Sequence, residues 1–242
     1  MLRVQNLKKH FGGVRAVDGC SFKVERGKIT ALIGPNGSGK STVFNLISGI
    51  SKIDSGKVIL DKKEITDLAP HKISQKGISR LFQQARLFEN LTVKENLALA
   101  LDSEDTKFWK NLFGRKKVDD KMVKENLESL GLERFENRLS RGLSYGQKRL
   151  VEILRVMMKP HKVLMLDEPV AGVTPLLRRK ISTLLKGLRK KGETILLIEH
   201  DMNFALNLVD WVVVLDAGKV IAEGTPKEIR KNKKVLEAYL GD

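Results

Sequence analysis

Short runs of consecutive apolar residues, rather than strict alternation, mark the strands of this chain. KITALIG (28–34) ends in glycine and passes through a glycine-rich loop into STVFNLISGI (41–50), whose apolar positions follow helical spacing. KVLMLDEP (162–169), ETILLIEH (193–200) and WVVVLDAG (211–218) are runs of the same kind, closing on carboxylates, an imidazole or a turn. A strand that is apolar at every position is buried on both faces, as strands of a parallel sheet are. Helical patterns near 176–190 and 202–209 separate these runs, which predicts an α/β core with a mainly parallel sheet covered on both sides. GKVILDKKEIT (56–66) predicts a strand with a turn, and GKVIAEGTPKEI (218–229) echoes it too briefly to count as an internal repeat.

Residues 84–158 break the alternation. LTVKENLALAL (91–101) places Thr92 and Glu95 at capping-box spacing ahead of an apolar run, and KKVDDKMVKENLESLGL (116–132) continues in helical register. LSYGQKR (143–149) then opens a further helix over RLVEILRVMM (149–158). The expected organisation is one domain over 1–242, with a helical insertion at 84–158. EGTPKEIRK (223–231) begins a last helix, with Thr225 as N-cap, Pro226 at the first turn and Glu228 two positions on.

Composition narrows this picture modestly. A chain of 242 residues, 41% apolar and 31% charged, suits a soluble globular protein, and no window reaches the roughly 18 apolar residues of a membrane span. The start, MLRVQNLKKHFGG, lacks the apolar core of a signal peptide and runs directly into a strand-like pattern. The single cysteine, Cys20, excludes an internal disulfide, fits a reducing cytoplasm and reads as a small core residue. A net charge of +16 points to an anionic partner: nucleotide, nucleic acid or anionic lipid. The excess recurs in KFWKNLFGRKK (107–117), RRKISTLLKGLRKK (178–191) and RKNKK (230–234), and solvated helix faces would account for it equally well.

The chemistry concentrates at the ends of the strands. Gly34-Pro35-Asn36-Gly37-Ser38-Gly39-Lys40-Ser41 fits the G-x-x-x-x-G-K-[ST] pattern, lies between a strand and a helix, and is followed by Thr42. Its glycines let backbone amides approach phosphates, Lys40 can reach the β- and γ-phosphates of ATP, and the Ser41 hydroxyl can ligate Mg²⁺. The run VLMLDEP delivers Asp167 at a strand's carboxyl end, suited to the metal shell, and Glu168 next to it, suited to take a proton from water. A second loop, LSYGQ, also resembles an anion-binding helix start but has no lysine of its own.

Together these residues resemble the nucleotide-binding domain of ABC-type ATPases, a P-loop NTPase core with an antiparallel β edge and a helical insertion subdomain. LSYGQ resembles that family's LSGGQ signature, with Tyr145 in place of a glycine. The resemblance implies a head-to-tail pair of ATP-binding subunits, in which Ser144, Gly146 and Gln147 serve the phosphate held by the partner. It further implies that Phe11 stacks on adenine and that Gln83, beside Gln84, touches the metal and the attacking water. His200 would contact the γ-phosphate. AGVTP (171–175) occupies the D-loop, with Thr174 where many relatives have aspartate, which puts the usual cross-interface contact in question. FGGVRAV, LFQQARLF, LTVKENL, LLIEHDM and the ending AYLGD resemble the ATP-binding subunits of branched-chain amino acid importers, as does a basic-aromatic segment at 102–121.

Urea or amide importers and lipopolysaccharide-export ATPases are close neighbours. The expected partners are separate membrane permease subunits and a second ATPase subunit, at the cytoplasmic face of the membrane. A soluble ABC ATPase acting on nucleic acid would carry long coiled coils or two domains per chain, neither of which is present, so no nucleic-acid partner is expected. A non-hydrolysing nucleotide module is disfavoured by the intact Lys40, Asp167, Glu168 and His200.

Overall fold

The apolar runs form a six-stranded sheet in the order β10-β9-β3-β8-β7-β6 in the computed structural model, which describes residues 1–82, 87–101 and 120–240. Its strands are β3 (Ile29–Ile33), β6 (Ile78–Leu81), β7 (Val163–Asp167), β8 (Ile195–Ile198), β9 (Trp211–Asp216) and β10 (Lys219–Gly224). All pair in parallel except β10, which returns antiparallel on β9. A second sheet, ordered β2-β1-β4-β5, is antiparallel: β1 (Leu2–Phe11), β2 (Val14–Val24), β4 (Ser55–Leu60) and β5 (Lys63–Glu64). The α/β class, mainly parallel sheet and antiparallel edge agree with the expectation.

The strands are apolar throughout because each face has its own cover. Leu32, Met165, Ile198 and Val213 face the antiparallel sheet, α1 (Lys40–Ile47) and α2 (Pro70–Gln75). Ala31, Leu164, Leu197 and Val212 face the helices on the opposite side. The period of two along each strand therefore divides one apolar run between two cores. Cys20 is buried in the first of them, as its small-core reading expects.

Between β6 and β7 the chain passes through α3 (Val93–Leu101), α4 (Asp120–Leu130) and α5 (Tyr145–Met158). Two capping boxes set helix starts here, the first of them expected from the sequence. The Thr92 amide donates to Glu95 Oε2 at 2.7 Å, while the Glu95 amide donates to Thr92 Oγ1 at 3.2 Å, closing the capping box. Ser144 and Gln147 close another at the head of α5. Gln83 and most of the basic-aromatic segment 102–121 lie outside the described residues.

α6 (Pro175–Lys190) and α7 (Met202–Leu208) occupy the two helical patterns expected after β7. At the carboxyl end the expectation of one last helix needs correcting. Thr225 caps only α8 (Pro226–Ile229), and a separate helix, α9 (Lys233–Leu240), follows it. The break is local: the Asn232 side chain accepts the Lys234 amide at 3.0 Å, restarting the helix with a new cap.

Candidate active site

The parallel strands end together, so the loops after β3, β7 and β8 meet at one edge of the sheet, where open α/β sheets bind ligands. The loop after β3 needs glycine at its ends for want of space. A Cβ on Gly34 would lie 2.0 Å from the Leu215 carbonyl oxygen, and one on Gly39 would lie 2.3 Å from that of Ala16. The latter contact also sets the β1–β2 hairpin against the loop. At its tip Phe11 is 50% exposed, with Lys9 Nζ 5.3 Å from its ring centre, so an apolar ring faces solvent beside the glycine loop.

Lys40 opens α1 and folds back into the loop. Its Nζ donates to the Gly34 and Pro35 carbonyls at 2.7 Å each and lies 3.4 Å from Ser38 Oγ. Burial lowers its pKa, and the charge of Glu168 opposes that shift. The ammonium is thus held ready in a cage of carbonyl oxygens. Asn36, Gly37 and Ser41 are exposed around it, and Thr42 is half-buried.

Asp167 ends β7 and is nearly buried. Its Oδ2 accepts from Arg80 Nη2 at 2.9 Å, while Arg80 Nη1 donates to Asn45 Oδ1 at 2.9 Å and Ser48 Oγ at 2.7 Å. The Arg80 guanidinium also lies over the rings of Phe44 and Phe82, at 5.5 and 5.0 Å. Sequence reasoning missed Arg80. Its signal was an arginine inside the apolar strand ISRL, where only a buried partner makes the charge tolerable.

Glu168 follows in the left-handed region, at φ 46, and its amide donates to the Ile198 carbonyl at 3.1 Å. Its Oε1 lies 3.9 Å from His200 Nδ1, so the two predicted groups meet although they come from different strand ends. Arg149, wholly buried in α5, braces this turn. Its Nη2 donates to the Asp167 and Glu168 carbonyls at 2.7 and 2.8 Å, and its Nη1 donates to the Phe82 carbonyl at 2.7 Å. Its Nη1 also lies 3.4 Å from Glu152 Oε2, one helical turn on. That pair is local, but the backbone acceptors are brought near only by folding, so the bracing role is not readable from LSYGQKR.

LSYGQ makes its own contacts. The Gln147 amide donates to Ser144 Oγ at 3.3 Å and the Ser144 amide to Gln147 Oε1 at 2.9 Å. Gly146 leaves room for Leu177, since a Cβ there would meet Leu177 Cδ1 at 2.4 Å, and the Tyr145 ring lies over Gly172. Among the described residues, no hydrogen bond joins Ser144, Gly146 or Gln147 to the loop at 34–41. Thr174 acts locally, its Oγ1 accepting the Leu177 amide at 3.4 Å as the N-cap of α6. Aspartate caps helices in the same way, so the cap is kept with the substitution.

Oxygen donors of the kind Mg²⁺ prefers, the Ser41 hydroxyl and the Asp167 carboxylate, border the same edge, so the donor set fits that ion.

Residues 17–171 match the ABC transporter family, and residues 219–242 match the family described as branched-chain amino acid ATP-binding cassette transporter. The chain is 42% identical over 250 residues to the high-affinity branched-chain amino acid transport ATP-binding protein BraF of Pseudomonas aeruginosa, covering 100% of this chain and 98% of that one. Its fold matches a nucleotide-free ATP-binding cassette from an ABC transporter with a TM-score of 0.85 and 38% identity, over 100% of this chain and 99% of the other. It also matches a dimeric cassette in a post-hydrolysis state bound to ADP and Pi, with a TM-score of 0.80 and 28% identity, over 93% of this chain and 99% of the other. The chain therefore belongs to the ABC transporter family, in its branched-chain amino acid ATP-binding cassette group.

Proposed function

We propose that this chain hydrolyses ATP to power the import of branched-chain amino acids through separate permease subunits. The observation that carries the catalytic part is the meeting of Glu168 and His200 at 3.9 Å, beside the caged Lys40. Glu168 takes a proton from the attacking water, while Lys40 leaves its carbonyl cage to bind the β- and γ-phosphates and His200 contacts the γ-phosphate. The loop amides from Asn36 to Ser41 and that of Thr42 cradle the phosphates, with Gly34 and Pro35 shaping the turn, and Phe11 stacks on the adenine. Ser41, Gln83 and Asp167 would hold Mg²⁺, which when bound neutralises charge on the phosphate oxygens.

Ser144, Gly146 and Gln147 complete the phosphate site of a second ATP-binding subunit in a head-to-tail dimer. Residues 84–158 form the insertion of a single domain spanning 1–242. A cavity of about 410 Å³ between this insertion and the core, lined by Ile73, Arg80, Phe82 and Phe88 among others, offers the permease a seat beside the site. No helix among the described residues is long and apolar enough to cross a membrane, in keeping with a subunit that docks on membrane partners at the cytoplasmic face.

The test is reconstitution with the membrane proteins that co-purify in mild detergent. ATP-dependent uptake of leucine, isoleucine or valine into proteoliposomes is the expected result. Uptake of urea or short amides instead, or movement of lipid outward, would overturn the substrate assignment.

A further inference from the structure

Glu199, between the end of β8 and His200, is wholly buried. Its Oε1 accepts the Val170 amide at 3.4 Å, and its Oε2 has no hydrogen-bond partner among the described residues. The charged groups that act on it are Glu168 from the end of β7, Asp201 from its own segment and Arg178 from α6, with His200 adjoining. Two of these repel a carboxylate. The one cation, Arg178, is already bound to Asp201 at 2.6 Å. Burial, reinforced by the like charges of Glu168 and Asp201, pushes the Glu199 carboxyl up to about 8. It is a carboxylic acid at neutral pH, not a carboxylate.

We propose that Glu199 is a positioning residue of the hydrolytic site, its buried carboxyl holding the strand end that carries His200 against the Val170 turn that leads from Glu168 into the 171–175 loop. The inference rests on the ATPase reading. In its neutral form Glu199 leaves Arg178 with Asp201, whose other oxygen, Oδ1, accepts the Phe204 amide at 2.9 Å and caps α7. Both ends of the His200 segment are then fixed. Ionised, Glu199 would repel Glu168 and compete with Asp201 for Arg178, releasing the cap and loosening the Glu168–His200 approach.

Glu199→Gln separates charge from shape, since glutamine keeps an acceptor for the Val170 amide and cannot ionise. Wild-type turnover should fall about fivefold or more as pH rises from about 7.5 to about 9.5, with KM for ATP changing less than about twofold, whereas the variant stays nearly level.

Thermal unfolding provides an arm that does not require activity. The folded protein holds this proton up to about 8, while the unfolded chain releases it near 4.5. Stability from this group is therefore full below 4.5 and is lost as pH rises through about 8. The unfolding midpoint of Glu199→Gln should gain on the wild type across that window and hold a constant lead above it. Identical alkaline activity profiles in the two proteins, or a midpoint difference that does not vary with pH, would overturn the proposal. A wild type that binds ATP but never hydrolyses it, while the midpoint difference follows pH as expected, would overturn the ATPase reading and leave the buried acid established.

Discussion

Glu168 occupies a left-handed backbone position, a region that disfavours a side chain by roughly 1–2 kcal/mol. What holds it there is a bond from its own amide to the Ile198 carbonyl and one from Arg149 to its carbonyl. The carboxylate is thereby turned toward His200. Replacing Glu168 with glutamine keeps the size of the side chain and removes the base, so ATP binding should survive while hydrolysis falls by about a hundredfold or more. Near-normal phosphate release by this variant would remove Glu168 from the base role.

Lys40→Ala should weaken ATP binding about tenfold or more, because the triphosphate loses its main fixed cation. Titration calorimetry showing unchanged affinity would refute that role. Arg149→Met should cost roughly 3–5 kcal/mol of unfolding free energy, since the buried Glu152 carboxylate loses its cation and the carbonyls of Phe82, Asp167 and Glu168 lose their donor. Denaturant titration reads the loss directly. Residues of this kind mark where sequence reading stops. Lys40, Asp167, Glu168 and His200 announce themselves by motif and strand-end position, whereas Arg80 and, apart from its pair with Glu152, Arg149 act on atoms that are remote in sequence. Glu199 stands inside ETILLIEH, but nothing local distinguishes a buried acid from a solvated one.

At the scale of elements, the chain's own punctuation was readable where the partner group lies within a turn. The Thr92 and Thr225 caps are pairs three residues apart and close as expected, and Ser144 with Gln147 closes a third of the same spacing that the sequence reading did not name. The break before α9 also has a local cause in Asn232, but the basic run around it looks like continued helix. Asn96 shows the opposite case. Mid-helix asparagine carries no obvious signal, yet this one is wholly buried and exchanges bonds with the Phe88 backbone at 2.9 and 3.0 Å while its Nδ2 reaches Ser140 Oγ at 2.9 Å. It ties α3 both to the loop before it and to the segment leading into LSYGQ. Asn96→Ala should therefore destabilise by about 2–3 kcal/mol, a loss that chemical denaturation would resolve. A change under about 0.5 kcal/mol, the scale of an ordinary surface substitution, would mean the loop and the Ser140 segment are held by something else.

At the scale of the molecule, the apolar runs foretold a parallel sheet, because burial on both faces leaves a mark on every residue of a strand. The antiparallel sheet was legible as a strand-like start and as the strand and turn of 56–66, which form β4 and β5. Its order came only through family resemblance, since its half-exposed strands mix polar and apolar positions. The dimer belongs to this scale too. Phe11 and Tyr145 stay about half exposed, and among the described residues the Ser144 hydroxyl is engaged only in capping its own helix. If Ser144 completes the partner's phosphate site, Lys40→Ala and Ser144→Arg proteins should each be inactive alone and regain activity on mixing. A mixed head-to-tail dimer gathers both lesions in one site and leaves the other intact. Random exchange makes about half of the dimers mixed, each with one working site, so the ceiling is about a quarter of wild-type activity if the sites act independently. Ser144→Arg also removes a helix cap worth about 1 kcal/mol, so its melting curve must show a folded protein before mixing is scored. Wild-type specific activity should rise with protein concentration as dimers form. Folded variants that fail to rescue one another, together with wild-type activity flat across a wide dilution series, would show that LSYGQ does not serve a second subunit.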